Sequence, residues 1–199
     1  MNNPQRQSMI GGFGGLPFGE VSDCGAGQIA VLGVPSEVKC GPRSGTSLAP
    51  DALRKMAGQL GTELGANGCD LGNLDMSADW SGVLEQLVTQ LVDNDVMPVV
   101  LGGASDVAIT VLRTLPDLPV VAAMPLAQSD LSARTADTTW LGLNGGQPAD
   151  VWDQIEERRM AWRTARQLDE GQTEFADIPE RAILWIDISV IDLGHAAGA

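Results

Sequence analysis

Carboxylates and small hydroxyls gather where apolar runs end, and those points are where chemistry would sit. Asp106 follows "VVLGGAS", Asp130 follows "MPLAQS", and Asp187 and Asp192 lie in "WIDISVIDLG", with Ser105 and Ser189 beside two of them. Carboxylates in such places act as general acids and bases or as oxygen ligands of a hard cation such as magnesium. Alternation along a strand puts Asp187 and Ser189 on one face and Asp192 on the other. An aspartate after a strand also has the plainer use of a helix cap or turn former, and Asp106 fits an N-cap. His195 is the single histidine. It rules out a multi-histidine metal site and, with no orienting partner to name, reads as a polar residue of the tail "LGHAAGA".

These residues depend on a frame of alternating elements. Continuous apolar runs at 28–34, 96–103 and 119–124, with "TTWLGL" at 138–143 and "AILWIDISVI" at 182–191, predict strands. Pro50 and Asp51 open a helix in "PDALRKMAGQL". Val83, Leu84, Leu87, Val88, Leu91 and Val92 recur at helical spacing, and "DVAITVLRTL" and "PADVWDQIEERRMAWRTARQL" (148–168) read as two more helices. Alternation with short connections predicts a parallel sheet covered by helices on both faces. Ligands of such sheets bind at the carboxyl ends of strands. Here those ends are Ser36 to Ser47, Ala104 to Asp106, Pro125 to Asp130, Asn144 to Gln147 and Asp187 onward.

With 44% hydrophobic residues, 199 residues suffice for one sizeable core, so a single domain over 1–199 is expected, with 1–27 a loop-like tether. A net charge of −14, from 26 acidic and 12 basic residues, repels phosphate backbones and anionic lipid, which argues against nucleic acid and membrane as partners. No apolar run reaches the roughly 20 residues that span a bilayer. The opening "MNNPQRQSMIGGFGG" lacks the apolar segment of a signal peptide, so a cytoplasmic chain is expected. Cys24, Cys40 and Cys69 are odd in number and widely spaced, which predicts reduced thiols. Trp152 and Trp162 on the 148–168 helix and Trp185 on a strand predict packing rather than ligand stacking. Arg158, Arg159, Arg163 and Arg166 on that helix read as a solvated face, with docking of an acidic partner as the alternative.

Six segments in order, "GGFGGLPFG", "VLGVP", "RSGTSLAPDALR", "CDLGNLD", "MPVVLGGASD" and "WIDISVID", resemble the landmarks of the ureohydrolases, the arginase, agmatinase and formimidoylglutamase relatives. The resemblance runs from about residue 11 to the last residue. It implies an α/β three-layer sandwich with a mostly parallel sheet, arginase/deacetylase-like. It also implies hydrolysis of guanidino groups by a manganese pair held in motifs written Gly-Gly-Asp-His, Asp-Ala-His-x-Asp and Ser-x-Asp-x-Asp.

Laid on this chain, the first motif falls on Gly102 to Ser105, with Ala104 for the aspartate and Ser105 for the histidine ligand. The second falls on Leu126 to Asp130, with Leu126 and Gln128 in ligand places and Asp130 kept. The third falls on Trp185 to Ser189, keeping Asp187 and placing Ser189 where the other aspartate stands. Trp185, in place of a small polar residue, fills space near the former metal position. Two close divalent ions repel strongly unless several carboxylates offset their charge, and neutral oxygens and hydrocarbon do not. The resemblance therefore implies no catalytic residue and no manganese pair. Its reading is a structural or regulatory subunit, in a homo-oligomer or a hetero-oligomer with an active relative.

Two alternatives stand beside it. One is a hydrolase of guanidino or amidine C–N bonds with an altered site, binding manganese or magnesium weakly through Asp130 and Asp187 with Ser105 and Asp106. The other is a sensor of small guanidino ligands. The chain stops at "GHAAGA", where the resemblance implies a further strand and helix, so a domain shortened on its C-terminal side is expected. Such a domain exposes a sheet edge that a partner chain would cover.

Overall fold

In a computed structural model describing residues 12–37, 45–60, 67–77, 79–127, 137–172 and 179–190, every residue of β1 (Ile29–Val34) is buried. A strand apolar on both faces is stable only when both faces are covered, which a parallel sheet with helices provides. β1 pairs in parallel with β2 (Gly68–Asn73) on one side and β3 (Met97–Gly102) on the other, Ile29 lying opposite Met97 and Val34 opposite Gly102. Alternation sends Ile29 and Val31 to one face, where they pack with Leu16 and Leu101. Ala30 goes to the other face and packs with Cys69, Leu91 and Val96.

The chain divides into two compact units, Met1–Thr114 and Leu115–Ala199. The first adds α1 (Ala49–Gln59), α2 (Trp80–Asp93) and α3 (Ser105–Thr114) to its three strands. Pro50 and Asp51 lie in the first turn of α1, and α2 buries Leu84, Val88 and Leu91, as their spacing predicts. Within the expected tether, residues 12–27 hold 3-10 turns at Phe13–Gly15 and Val21–Asp23 and bury Leu16 in the core. β2 was not legible as a strand, since "GCDLGN" has no apolar run. It forms through β1 on one side and an isolated bridge from Phe18 to Asp70 on the other. The expectation of three reduced thiols is corrected here: Cys24 and Cys69, 45 residues apart, are joined by a disulfide. Cys40 lies outside the described residues.

The second unit is a parallel sheet of order β6-β5-β4-β7, with β4 (Val120–Ala123), β5 (Thr138–Leu143), β6 (Ala161–Thr164) and β7 (Ile183–Ile186). The single helix expected over 148–168 does not form. α4 (Ala149–Glu157) ends at Arg159, whose φ of 53° is left-handed. Met160 N–H donates to the Ile155 carbonyl at 3.0 Å and Arg159 N–H to Glu156 at 3.1 Å, the pair of bonds that closes a helix C-terminus. The chain then extends as β6, with Trp162 opposite Trp140. Thr164 and Gln167 form a capping box that starts the short α5 (Ala165–Asp169). Trp162 and Arg163 are therefore on a strand, and the four arginines do not share a helix face.

Trp152 and Trp162 still pack edge to face, their ring centroids 5.1 Å apart. The strand expected over 182–191 is also shorter, because a 3-10 turn occupies Ile188–Val190. Among the described residues no helix is long and apolar enough to cross a membrane.

Candidate functional site

In the first unit the carboxyl ends of β1 and β3 are held by Ser36. Its buried hydroxyl donates to both carboxylate oxygens of Asp106, at 2.8 and 2.6 Å, and its carbonyl accepts from Thr46 Oγ1 at 3.1 Å and Ala104 N–H at 3.3 Å. A Cβ at Gly103 would run into the Ser36 carbonyl oxygen, so the second glycine of "GGASD" permits this approach. α3 begins at Ser105, which places Asp106 inside its first turn instead of at the expected N-cap; the carboxylate there also accepts from Val107 N–H at 2.9 Å. Ser105 itself is exposed. Beside them Glu37 accepts from Ser47 Oγ at 2.6 Å and Gly45 N–H at 3.0 Å. The Ser47 hydroxyl first, and then the Gly45 N–H, hold its carboxyl below the usual range.

In the second unit Leu126 follows β4 and is 48% exposed. Its segment is fastened by buried Gln147, which accepts from Ala127 N–H at 2.8 Å and donates to the carbonyls of Pro125 and Asn144 at 2.7 and 3.1 Å. Asp187 stands one residue past β7, its N–H donating to the Ala123 carbonyl at 2.9 Å. Its carboxylate accepts the N–H of Ser189 at 2.9 Å and the Ser189 hydroxyl at 2.6 Å. Asp187 and Ser189 are thus brought together, but by a local turn and not by sharing a strand face as expected. Trp185 is half-buried on β7. Gln128, Asp130, Asp192 and His195 lie outside the described residues.

The donors at the described ligand positions do not by themselves fit a pair of manganese ions. The four described ligand positions offer the exposed Ser105 hydroxyl, the Leu126 hydrocarbon, the Asp187 carboxylate and the hydroxyl already bonded to it. Among the described residues no three His, Cys, Asp or Glu side chains converge in a group able to hold a metal. Neutral oxygen donors leave the charge of two divalent ions largely uncompensated.

Sequence reasoning passed over the most fully bonded polar cluster. Arg54 of α1, 4% exposed, faces Asp70 of β2, 0% exposed. Nε donates to Oδ2 and NH2 to Oδ1, both at 2.8 Å, a fork-to-fork pair. NH2 also reaches the Gly72 carbonyl at 3.0 Å, and NH1 binds Asn73 Oδ1, whose amide donates to Asp51 at 2.9 Å. Phe13 and Gly72 each donate an N–H to the Asp70 carboxylate at 2.8 Å. Burial pushes the Asp70 carboxyl up, but the Arg54 hydrogen bonds, the two N–H groups and the Arg54 charge together hold it below the ordinary carboxylate range. A Cβ at Gly33 would strike Asn73 and Arg54, so that glycine leaves room for the cluster. The sequence signals were an aspartate between apolar neighbours in "CDL" and the places of Arg54 and Asp70 within the segments "RSGTSLAPDALR" and "CDLGNLD".

The Arginase family model matches residues 27–199. Among solved structures, the agmatine ureohydrolase of Thermoplasma volcanium is 18% identical with a TM-score of 0.72, over 98% of this chain and 78% of that one. Arginase from Bacillus subtilis is 19% identical with a TM-score of 0.58, over 72% of this chain and 65% of that one. Trypanosoma cruzi formiminoglutamase with Mn2+ is 18% identical with a TM-score of 0.62, over 72% and 60%. The match therefore spans less than two thirds of the last two. No curated protein matches the sequence. At these identities the structures establish the fold, the expected parallel α/β class, while the family model reaches through most of the sequence. The chain belongs to the arginase family.

Proposed function

We propose that this chain is a catalytically inactive ureohydrolase relative that serves as a structural or regulatory subunit, in a homo-oligomer or beside an active relative. The observation that carries the reading is the state of the ligand positions: Leu126 brings hydrocarbon, and Asp187 closes a turn on Ser189. Guanidine hydrolysis in this family draws its nucleophile from water acidified by the metal pair, so losing the pair removes the nucleophile. The subunit role is supported by β7 and the 3-10 turn that follows it. Leu184, Ile186 and Ile188 are 64%, 63% and 59% exposed, and among the described residues β7 pairs only with β4. An apolar parallel strand with no second partner among the described residues calls for a cover, and a partner chain is one.

The test is metal analysis of the purified protein after incubation with excess manganese. Bound metal far below one ion per chain is expected, with no urea released from arginine, agmatine or guanidinobutyrate. Uptake of about two ions per chain, as a dinuclear site holds, overturns the proposal. Intact-assembly mass from the native source tests the subunit role, a lone monomer contradicting it.

A further inference from the structure

We infer that Cys24 and Cys69 form a reversible thiol–disulfide clasp that fastens the N-terminal strap, residues 12–24, over strand β2. This inference is independent of the proposed loss of catalysis. Cys24 caps the 3-10 turn Val21–Asp23 and is half-exposed, whereas Cys69 sits buried in β2. Their Cα atoms are 6.3 Å apart, within the roughly 7 Å that a disulfide bridges.

What brings the sulfurs together does not depend on the bond between them. Asp70, next to Cys69, donates its N–H to the Pro17 carbonyl at 2.8 Å and accepts from Gly19 N–H at 3.0 Å. Glu20 and Asp23 close a capping box on the turn that ends in Cys24. Gly19 lies so near the strand that a Cβ there would sit 3.2 Å from Cys69 Cβ and 3.0 Å from an Asp23 carboxylate oxygen, so the strap rests flat on the buried cysteine. Both sulfurs are 3.9 Å from the Glu20 carbonyl oxygen, to which an S–H of the reduced form can donate. The reduced chain therefore keeps its two thiols in register, which makes closure repeatable.

The oxidant is a small-molecule disulfide, RSSR, acting by exchange. The Cys24 thiolate, reachable from solvent, attacks one sulfur of RSSR and expels RS⁻, giving a mixed disulfide. Cys69 gives up its proton and attacks the Cys24 sulfur, which expels the second RS⁻ and forms the Cys24–Cys69 bond. Two electrons pass from the cysteine sulfurs to RSSR, and two RSH leave with the two thiol protons. Excess RSH drives the reverse. In the open state the strap keeps its hydrogen bonds and the buried Leu16 but loses the covalent tie, and it exchanges its amides faster.

The full chain is equilibrated with oxidised glutathione or with excess dithiothreitol, alkylated and weighed, and melted in both states. One alkylated thiol is expected in the oxidised form, with a linked Cys24–Cys69 peptide, and three in the reduced form. The oxidised form is expected to melt higher by roughly 5 °C or more, with slower amide exchange over residues 12–24. Cys24→Ser at the half-exposed position abolishes the difference, whereas Cys40→Ser leaves it. Three alkylated thiols under oxidising conditions, a link through Cys40, or identical melting and exchange in the two states would each overturn the inference.

Discussion

Asp70 in the first unit and Asp187 in the second both stand at a parallel strand, yet their carboxylates are used on different scales. Asp70 is bound by groups from α1, from the strap and from its own strand, its partners Arg54 and Phe13 lying 16 and 57 residues away. Asp187 is bound by Ser189, two residues on. The family's ligand motifs include Asp187 and not Asp70, yet it is Asp70 that gathers donors from distant elements. A carboxylate acquires a structural role from the donors aimed at it and from exclusion of water, not from its place in a motif.

The sharpest way to break this contrast is to remove the long-range donor. Arg54→Ala leaves the Asp70 charge buried without its guanidinium and is expected to lower stability by about 3–5 kcal/mol, read from denaturant unfolding. Arg54→Met with Asp70→Leu removes both charges and should cost clearly less than Arg54→Ala alone, because the uncompensated carboxylate is gone. A single change as costly as the pair would mean that the cluster acts through packing alone.

Acid should test the Asp70 side of the contrast next. Folding lowers the Asp70 pKa, so between its folded and unfolded values the folded chain binds fewer protons than the unfolded one. The stability this contributes is complete above the unfolded pKa of about 3.9 and is lost as pH falls through the folded value. An acid limb of unfolding that shrinks in the Arg54→Met/Asp70→Leu pair is the expected result. Glu37 is shifted the same way by Ser47 and Gly45 and contributes in the same direction. Ser47→Ala, scored by titration of Glu37 in NMR spectra, should move that carboxyl back up.

The contrast also explains what the sequence disclosed. Devices that act within a few residues left a trace: the apolar runs of β1, β3, β4 and β5, the period of α2, and Pro50 with Asp51 at α1. Devices that depend on distant partners left little. β2 has no apolar run and relies on β1, Arg54 carries no mark that it faces inward, and Cys24 and Cys69 are 45 residues apart. The 148–168 segment misled for another reason. Its apolar and charged letters suit a helix, and what ends α4 is a left-handed Arg159, a residue type that does not announce such a turn. Of the candidate site, the residue types at the positions matched to the ligand motifs are read from the sequence directly, whereas the Ser36–Asp106 and Gln147 fastenings needed coordinates.

If the second unit is held by local devices, each should matter modestly, and Arg159 tests this with a change of opposite sign. A left-handed φ costs an L-residue roughly 1 kcal/mol that glycine avoids. Arg159→Gly should therefore stabilise the α4–β6 junction by about 0.5–1 kcal/mol, measured by thermal melting. A loss of stability would show that the arginine side chain contributes more than the backbone of its turn.

Asp187→Asn gives the smallest effect and the most direct comparison. Asparagine keeps an oxygen where Oδ1 accepts from Ser189 and forms the same turn, so only the charge is removed. With the neutral Ser189 the partner of its carboxylate among the described residues, that loss is expected to change stability by no more than about 0.5 kcal/mol in denaturant unfolding. The same substitution at Asp70 deletes a negative charge from beside a buried guanidinium and leaves Arg54 uncompensated, so it should cost several-fold more. Equal effects at the two positions would place a cation against Asp187 in the folded chain. The Asp187→Asn loss measured with and without added manganese would then identify that cation, because only a metal bound at Asp187 makes the cost rise with metal concentration.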